Sequence, residues 1–199
     1  TNSGGSAAGA GITVNGAVNG TAANSQDLSL DAGTGGAISF GSTVGAGTTL
    51  RTLTVTNSNG ATFTGAVTTG TSVVLTNTTA AADIQFTGAL VTPTLTTAAQ
   101  GYDLNLYGTG TTITNAVTFL NSGAVRLGNA AGTELLFNGA LTALLPSGVT
   151  LNGTVRTSGD AVSLGDAGTP VTLSGGASTI DPTNSGGSAA GAGITVNGA

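Results

Sequence analysis

Residues 1–17, TNSGGSAAGAGITVNGA, recur letter for letter as residues 183–199, at an offset of 182. Chance does not generate such a copy. The chain therefore reads as one complete block, residues 1–182, followed by the start of a second identical block, residues 183–199. A chain that repeats itself must bury its apolar surface against its own copies, so a stack is the first architecture to consider. A shorter period lies inside the block. The element I-x-F-x-G-x-V occurs at Ile12–Val18, at Ile38-Ser-Phe40 with Val44, at Ala61–Val67 and at Ile84–Leu90. Looser copies begin at Ile113, Leu135, Val149 and Val171, and the next block restarts the series at Ile194. The mean spacing is about 23 residues, within the range of solenoid coils. The step from Leu135 to Val149 is too short for a full coil, so seven or eight coils per block are expected.

Within each element apolar and small polar residues alternate, which places Ile, Phe and Val on one face of an extended strand and Thr, Ser or Asn on the other. A second element, L-x-L or a close variant, falls between the first, at Leu28, Leu53, Val73, Leu104, Val125 and Val162. A single such strand cannot cover its apolar face. Coils stacked about 4.8 Å apart bring Phe40, Phe63 and Phe86 into a ladder and let each coil bond to the next. The expected fold is all-β, a parallel β-helix or β-solenoid. Gly and Asn after the strands mark corners, and Asn15, Asn138, Asn152 and Asn197 share one motif position. They are read either as an axial side-chain ladder or as left-handed corner residues. A pair of Ig-like sandwiches of 91 residues each is the rival fold, weakened by the absence of Trp and of any similarity at that spacing.

Composition narrows the chemistry. The 199 residues include no His, Cys, Met or Trp, and the three cations, Arg51, Arg126 and Arg156, are all arginine. No imidazole base, thiolate or lysine Schiff base is available, so no enzyme is expected and no catalytic, cofactor-binding or metal residue is assigned. Three arginines on a chain of net charge −5 do not suit nucleic acid or an anionic membrane surface. No run of apolar residues reaches the roughly 18 of a spanning helix. The chain opens at Thr1 without Met, and reads as a fragment or a mature segment.

The segments GAGITVNGAV, GGAISFGSTV, GATFTGAV and ADIQFTGAL, with the partner strands DLSLDAG, DLNLYGTG and VSLGDAG, carry a resemblance. They resemble the filamentous-haemagglutinin-like and autotransporter-associated β-helix repeats of very large bacterial surface proteins. The resemblance spans nearly the whole chain through a degenerate motif. It implies a secreted, right-handed parallel β-helix that forms stalks or filaments outside the cell. The exact 182-residue repeat departs from an ordinary adhesin passenger and points to a uniform fibre.

The expected function is therefore a structural block of a long extracellular or cell-surface bacterial fibre. Its partners are copies of itself, end to end and side by side, with no small-molecule substrate. An adhesin stalk or a module gripping glycans or other cells is the alternative, hinted at only by Tyr102 and Tyr107 on one coil. An ice-binding solenoid is the minor alternative, though no T-x-T column recurs at the unit spacing. The carboxylates are Asp27, Asp31, Asp83, Asp103, Glu134, Asp160, Asp166 and Asp181. Asp27 and Asp103 precede an L-x-L element and read as corner residues. Calcium is the one cofactor alternative, through Asp side chains and loop carbonyls, although the nonapeptide of calcium-binding β-rolls is missing. Gly45-Ala-Gly47 and Gly108-Thr-Gly110 read as corners and not phosphate loops, and the segment from Gly4 to Gly11 as a flexible link or close-packed backbone. Asn19, Asn77 and Asn152 head glycosylation-type triplets of the kind such a composition produces by chance.

Overall fold

The computed structural model describes residues 8–185, 187, 188 and 190–198. Along the chain its strands are β1 (Ile12–Val14), β2 (Asp27–Asp31), β3 (Ile38–Phe40), β4 (Leu50–Ser58), β5 (Ala61–Phe63) and β6 (Val67–Thr78). Next come β7 (Asp83–Phe86), β8 (Leu90–Thr92), β9 (Thr94–Thr97), β10 (Asp103–Leu106), β11 (Thr111–Ile113), β12 (Val117–Thr118) and β13 (Val125–Leu127). The last are β14 (Glu134–Phe137), β15 (Leu141–Ala143), β16 (Val149–Thr157), β17 (Val162–Leu164), β18 (Val171–Asp181) and β19 (Ile194–Val196). Every ladder between named strands is parallel, which excludes the sandwich alternative. The chain is a β-solenoid of about seven turns with three walls.

The first wall is the ladder β1-β3-β5-β7-β10-β13-β16-β18. Its inward column runs Ile12, Ile38, Ala61, Ile84, Leu104, Val125, Val149, Val171. Eight strands leave seven intervals, hence seven turns from Ile12 to Val171. The second wall begins as the bridges Val18–Val44–Val67 and continues through β8, β11, β14, the second half of β16 and the end of β18. The third wall stacks β2, β4, β6 and β9, then β12, β15, β17 and β19. Between β9 and β12 the walls pack without a ladder. The Leu120 N–H instead bonds the Thr97 hydroxyl at 2.8 Å, and the Asn115 N–H bonds the Pro93 carbonyl at 2.8 Å.

Period-two alternation puts one residue in two inside the tube, and stacking then seals it. Phe40, Phe63 and Phe86 form the expected ladder, with centroids 5.3 and 4.9 Å apart and ring planes 25° and 9° from parallel. All three are buried, and each removes about 1.5–3 kcal/mol of apolar surface from water. Below them the same column continues as Leu106, Leu127 and Leu151. Phe119 and Phe137 meet edge to face at 6.4 Å in the lower part of the core. At one corner the coils touch backbone to backbone. A Cβ on Gly88 would lie 2.3 Å from the Gly65 carbonyl carbon, and one on Gly108 would lie 2.1 Å from that of Gly88. Only glycine permits that approach.

Four assignments from the pattern shift to another wall. Ile113 and Leu135 stand on the second wall, below Leu90 and Thr92, and not on the first below Ile84. Leu104-Asn-Leu106 and Val125-Arg-Leu127, read as partner strands, occupy the first wall instead. The apparent 14-residue unit from Leu135 to Val149 is the path from the second wall, past Leu141 on the third, to the first wall of the next coil. Apolar residues two apart satisfy any wall, so the pattern fixes inside against outside while corner lengths set which wall a strand joins. The segment from Gly4 to Gly11 is described only from Ala8 onward. There Gly9 packs so closely that a Cβ would meet the Ala32 carbonyl at 1.8 Å, as close-packed backbone requires.

Candidate functional site

Polar chemistry on this tube runs along its axis. Each arginine reaches carboxylates on neighbouring coils, one arginine per wall. Arg51 pairs with Asp27 on the third wall. Arg126 on the first wall lies 3.0 Å from Asp103 and 3.5 Å from Asp83. Arg156 on the second wall lies 2.9 Å from Glu134 above it and 3.5 Å from Asp181 below. Asp27 and Asp103 therefore sit on different walls as strand residues, each tied to the next coil, and not at one shared corner position. The Arg51 guanidinium holds the Asp27 carboxyl below its ordinary pKa, chiefly by hydrogen bonding.

Other carboxylates are taken up locally. Asp31 accepts the Gly33 N–H at 3.1 Å and the Asn57 amide at 3.1 Å. Asp166 accepts the Gly168 N–H at 2.7 Å. Asp181 accepts the Thr183 hydroxyl, the Ser185 N–H and the Thr183 N–H, and these bonds with nearby Arg156 bring its pKa down to about 2. Among the described residues, no three His, Cys, Asp or Glu side chains group closely enough to hold a metal ion.

The axial amide ladder exists, but other residues build it. Asn77 donates to Asn57 at 2.7 Å, and Asn57 in turn donates to Asp31 at 3.1 Å. Asn15, Asn138, Asn152 and Asn197 lie on three different walls, and none has a positive φ, so neither sequence reading of them holds. Asn138 accepts the Ser158 hydroxyl at 2.7 Å. Gly45 and Gly110 do sit at positive φ, as corners. Of the triplet asparagines, Asn19 bonds two backbone N–H groups of the next coil.

The binding-face hint from tyrosine loses half its basis. Tyr102 is fully buried, its hydroxyl accepts the Ala98 N–H at 3.2 Å, and burial pushes its pKa up to about 12. A Ser/Thr column that the spacing concealed does emerge on the outside of the third wall. Its upper stretch is Ser29, Thr54, Val74, Thr96, and its lower stretch is Thr118, Thr142, Ser163, Thr195. It is broken by Val74, and in the upper stretch a second outward column, Asp27, Thr52, Ser72, Thr94, runs beside it. Irregular coil lengths leave its members at unequal spacings along the chain.

The least satisfied surfaces are the two ends. The apolar residues that pack on the core yet stay only partly covered are Ile12, Val14, Val18 and Leu28 in the first coil, and Val171 and Ile180 in the last. Beyond β18 an apolar cavity of about 470 Å³ opens between Leu151, Val171, Leu173, Ile180, Ile194 and Val196. Leu173 is 68% exposed, Val196 49% and Ile194 44%. Among the described residues both ends also present strand edges without a following ladder, the kind of edge that recruits another strand. Among the described residues no helix is long and apolar enough to cross a membrane. Compared with protein-family models, curated proteins and solved structures, the chain matches none of them.

Proposed function

We propose that the chain is the repeating block of a long tandem β-solenoid whose work is mechanical, a fibre or filament at the cell surface or outside the cell. One observation carries the reading. Among the described residues the stack is apolar and without a further ladder at both ends, and the sequence that opens its first coil begins again at its last. The following copy then covers what the preceding one leaves bare, so extension and protection of the edge are one event. Parallel ladders and axial ion pairs transmit load from coil to coil. A surface of low charge favours side-by-side association of such rods. The burial of Tyr102 favours this role over a glycan-gripping face.

Chains of one, two and four complete blocks provide the test, imaged by electron microscopy. Rods of constant width that lengthen by about 37 Å per block, at about 4.8 Å per coil, are the expected result. Particles that widen, or that leave each block as a separate bead, overturn the reading.

A further inference from the structure

The two copies of the repeated segment occupy different walls. In the first copy, Ile12-Thr13-Val14 forms the first wall and is paired below by Ile38-Ser39-Phe40. In the second copy the same tripeptide, Ile194-Thr195-Val196, lies on the third wall beneath Val162-Ser163-Leu164. From Ile12 the chain makes seven turns to Val171, then passes Ile180 on the second wall before reaching Ile194 on the third. One block thus advances by about seven and two-thirds turns, not a whole number.

We propose that successive copies of the block join with a one-third-turn offset, the first wall of each copy continuing the third wall of the copy before it. The inference rests on the tandem-filament reading and adds to it the surface and register of the joint. Both halves of that joint occur in this chain. Strand β17 on β19 is the upper half, and β1 on β3 is the lower half, because β19 and β1 are one sequence.

Glycine packing supplies an independent mark of the joint. A Cβ on Gly16 would find nothing within 4 Å, whereas one on its copy, Gly198, would lie 2.5 Å from the Val171 nitrogen. Gly16 is thus a glycine whose need for smallness arises only when a preceding block lies above it. Gly198 itself lies against Val171, which is only partly covered at the end of the stack. The counterpart of Val18 in the second copy follows there, and its side chain fills the apolar cavity at the end of the stack. The occupant of the cavity is therefore the first full coil of the next copy. Three copies complete a whole number of turns and return a given side chain to the same wall after about 110 Å of coils.

Because the chain has no cysteine, paired pyrene labels report the register directly. The variant Ser163→Cys/Thr195→Cys marks outward neighbours of the offset joint. The variant Thr172→Cys/Thr195→Cys marks the neighbours that an unrotated joint would create, since Thr172 ends the column in which Thr13 stands. Both are made in a chain of two complete blocks, where Thr195 is the second block's Thr13. A several-fold higher excimer-to-monomer ratio from the first pair is the expected result. A higher ratio from the second pair overturns the offset, and so does equal monomer emission from both in a chain with intact β circular dichroism. Small-angle scattering on the same samples reports whether one continuous rod has formed. A failed filament is thereby distinguished from a filament joined in another register.

Discussion

The same nine letters, from Ala8 to Gly16 and again from Ala190 to Gly198, meet opposite surroundings at the two ends of this molecule. Among the described residues the first copy is supported from below and has no neighbour above, and Ile12 and Val14 are half-buried against the core. The second copy is supported from above and bare below, leaving Ile194 and Val196 exposed on another wall. Identical local propensity thus yields the same short strand twice, while wall, depth and neighbours come from what lies next to it. In the tandem array proposed above, these two half-satisfied sites would become one.

The largest test of the contrast compares the interior with the ends. Phe63→Ala removes a ring stacked on both sides and should cost about 3–5 kcal/mol in denaturant unfolding. Ile194→Ala, at the open end, should change stability by no more than about 0.5 kcal/mol in the 199-residue chain. Comparable losses at the two positions would mean the end is already closed.

Glycine substitutions give the next effect. Gly88→Ala forces a methyl onto the Gly65 backbone and should destabilise by about 1–3 kcal/mol. Gly16→Ala should be silent in this chain, because the space beside it is open. The same substitution placed in the second block of a two-block chain should be harmful, as seen by thermal melting, since that position then lies against Val171.

A smaller loss is expected from the arginine ties. Arg126→Met leaves Asp83 and Asp103 facing each other without their cation, yet the site is partly solvated, so about 1 kcal/mol is at stake. Added salt should shrink the difference between variant and parent.

The smallest effect is one of pH. The folded-state pKa of Asp181 is depressed to about 2, so its contribution is complete above the ordinary carboxylate value. That contribution declines as pH falls toward about 2. Amide exchange near Thr183 and Ser185 should quicken over that window, and Asp181→Asn should abolish the pH step. No change in slope between parent and variant would show that the carboxylate does not hold the turn.

Much of this architecture was legible in the letters. The alternation around Phe40, Phe63 and Phe86 required a shared inner column, and the parallel ladders supply it. The ion pairs were not legible, because Arg126 and Asp83 are brought together only by stacking across two coils. The Ser/Thr column was hidden for the same reason. Its members are separated by unequal numbers of residues, and only the pairing of walls brings them into line.

What the amino-acid order determined by itself is the class of object: strands of period two, coils of about 23 residues, and a segment that returns letter for letter after 182 residues. Tertiary structure decided the phase. Each corner between walls has its own length, so Ile12 and Ile194 share every local preference yet stand on different walls. Side-chain alternation is a short-range property that each strand carries alone. The angular position of a strand accumulates over all the corners before it, and only the closed stack of backbone bonds adds them up.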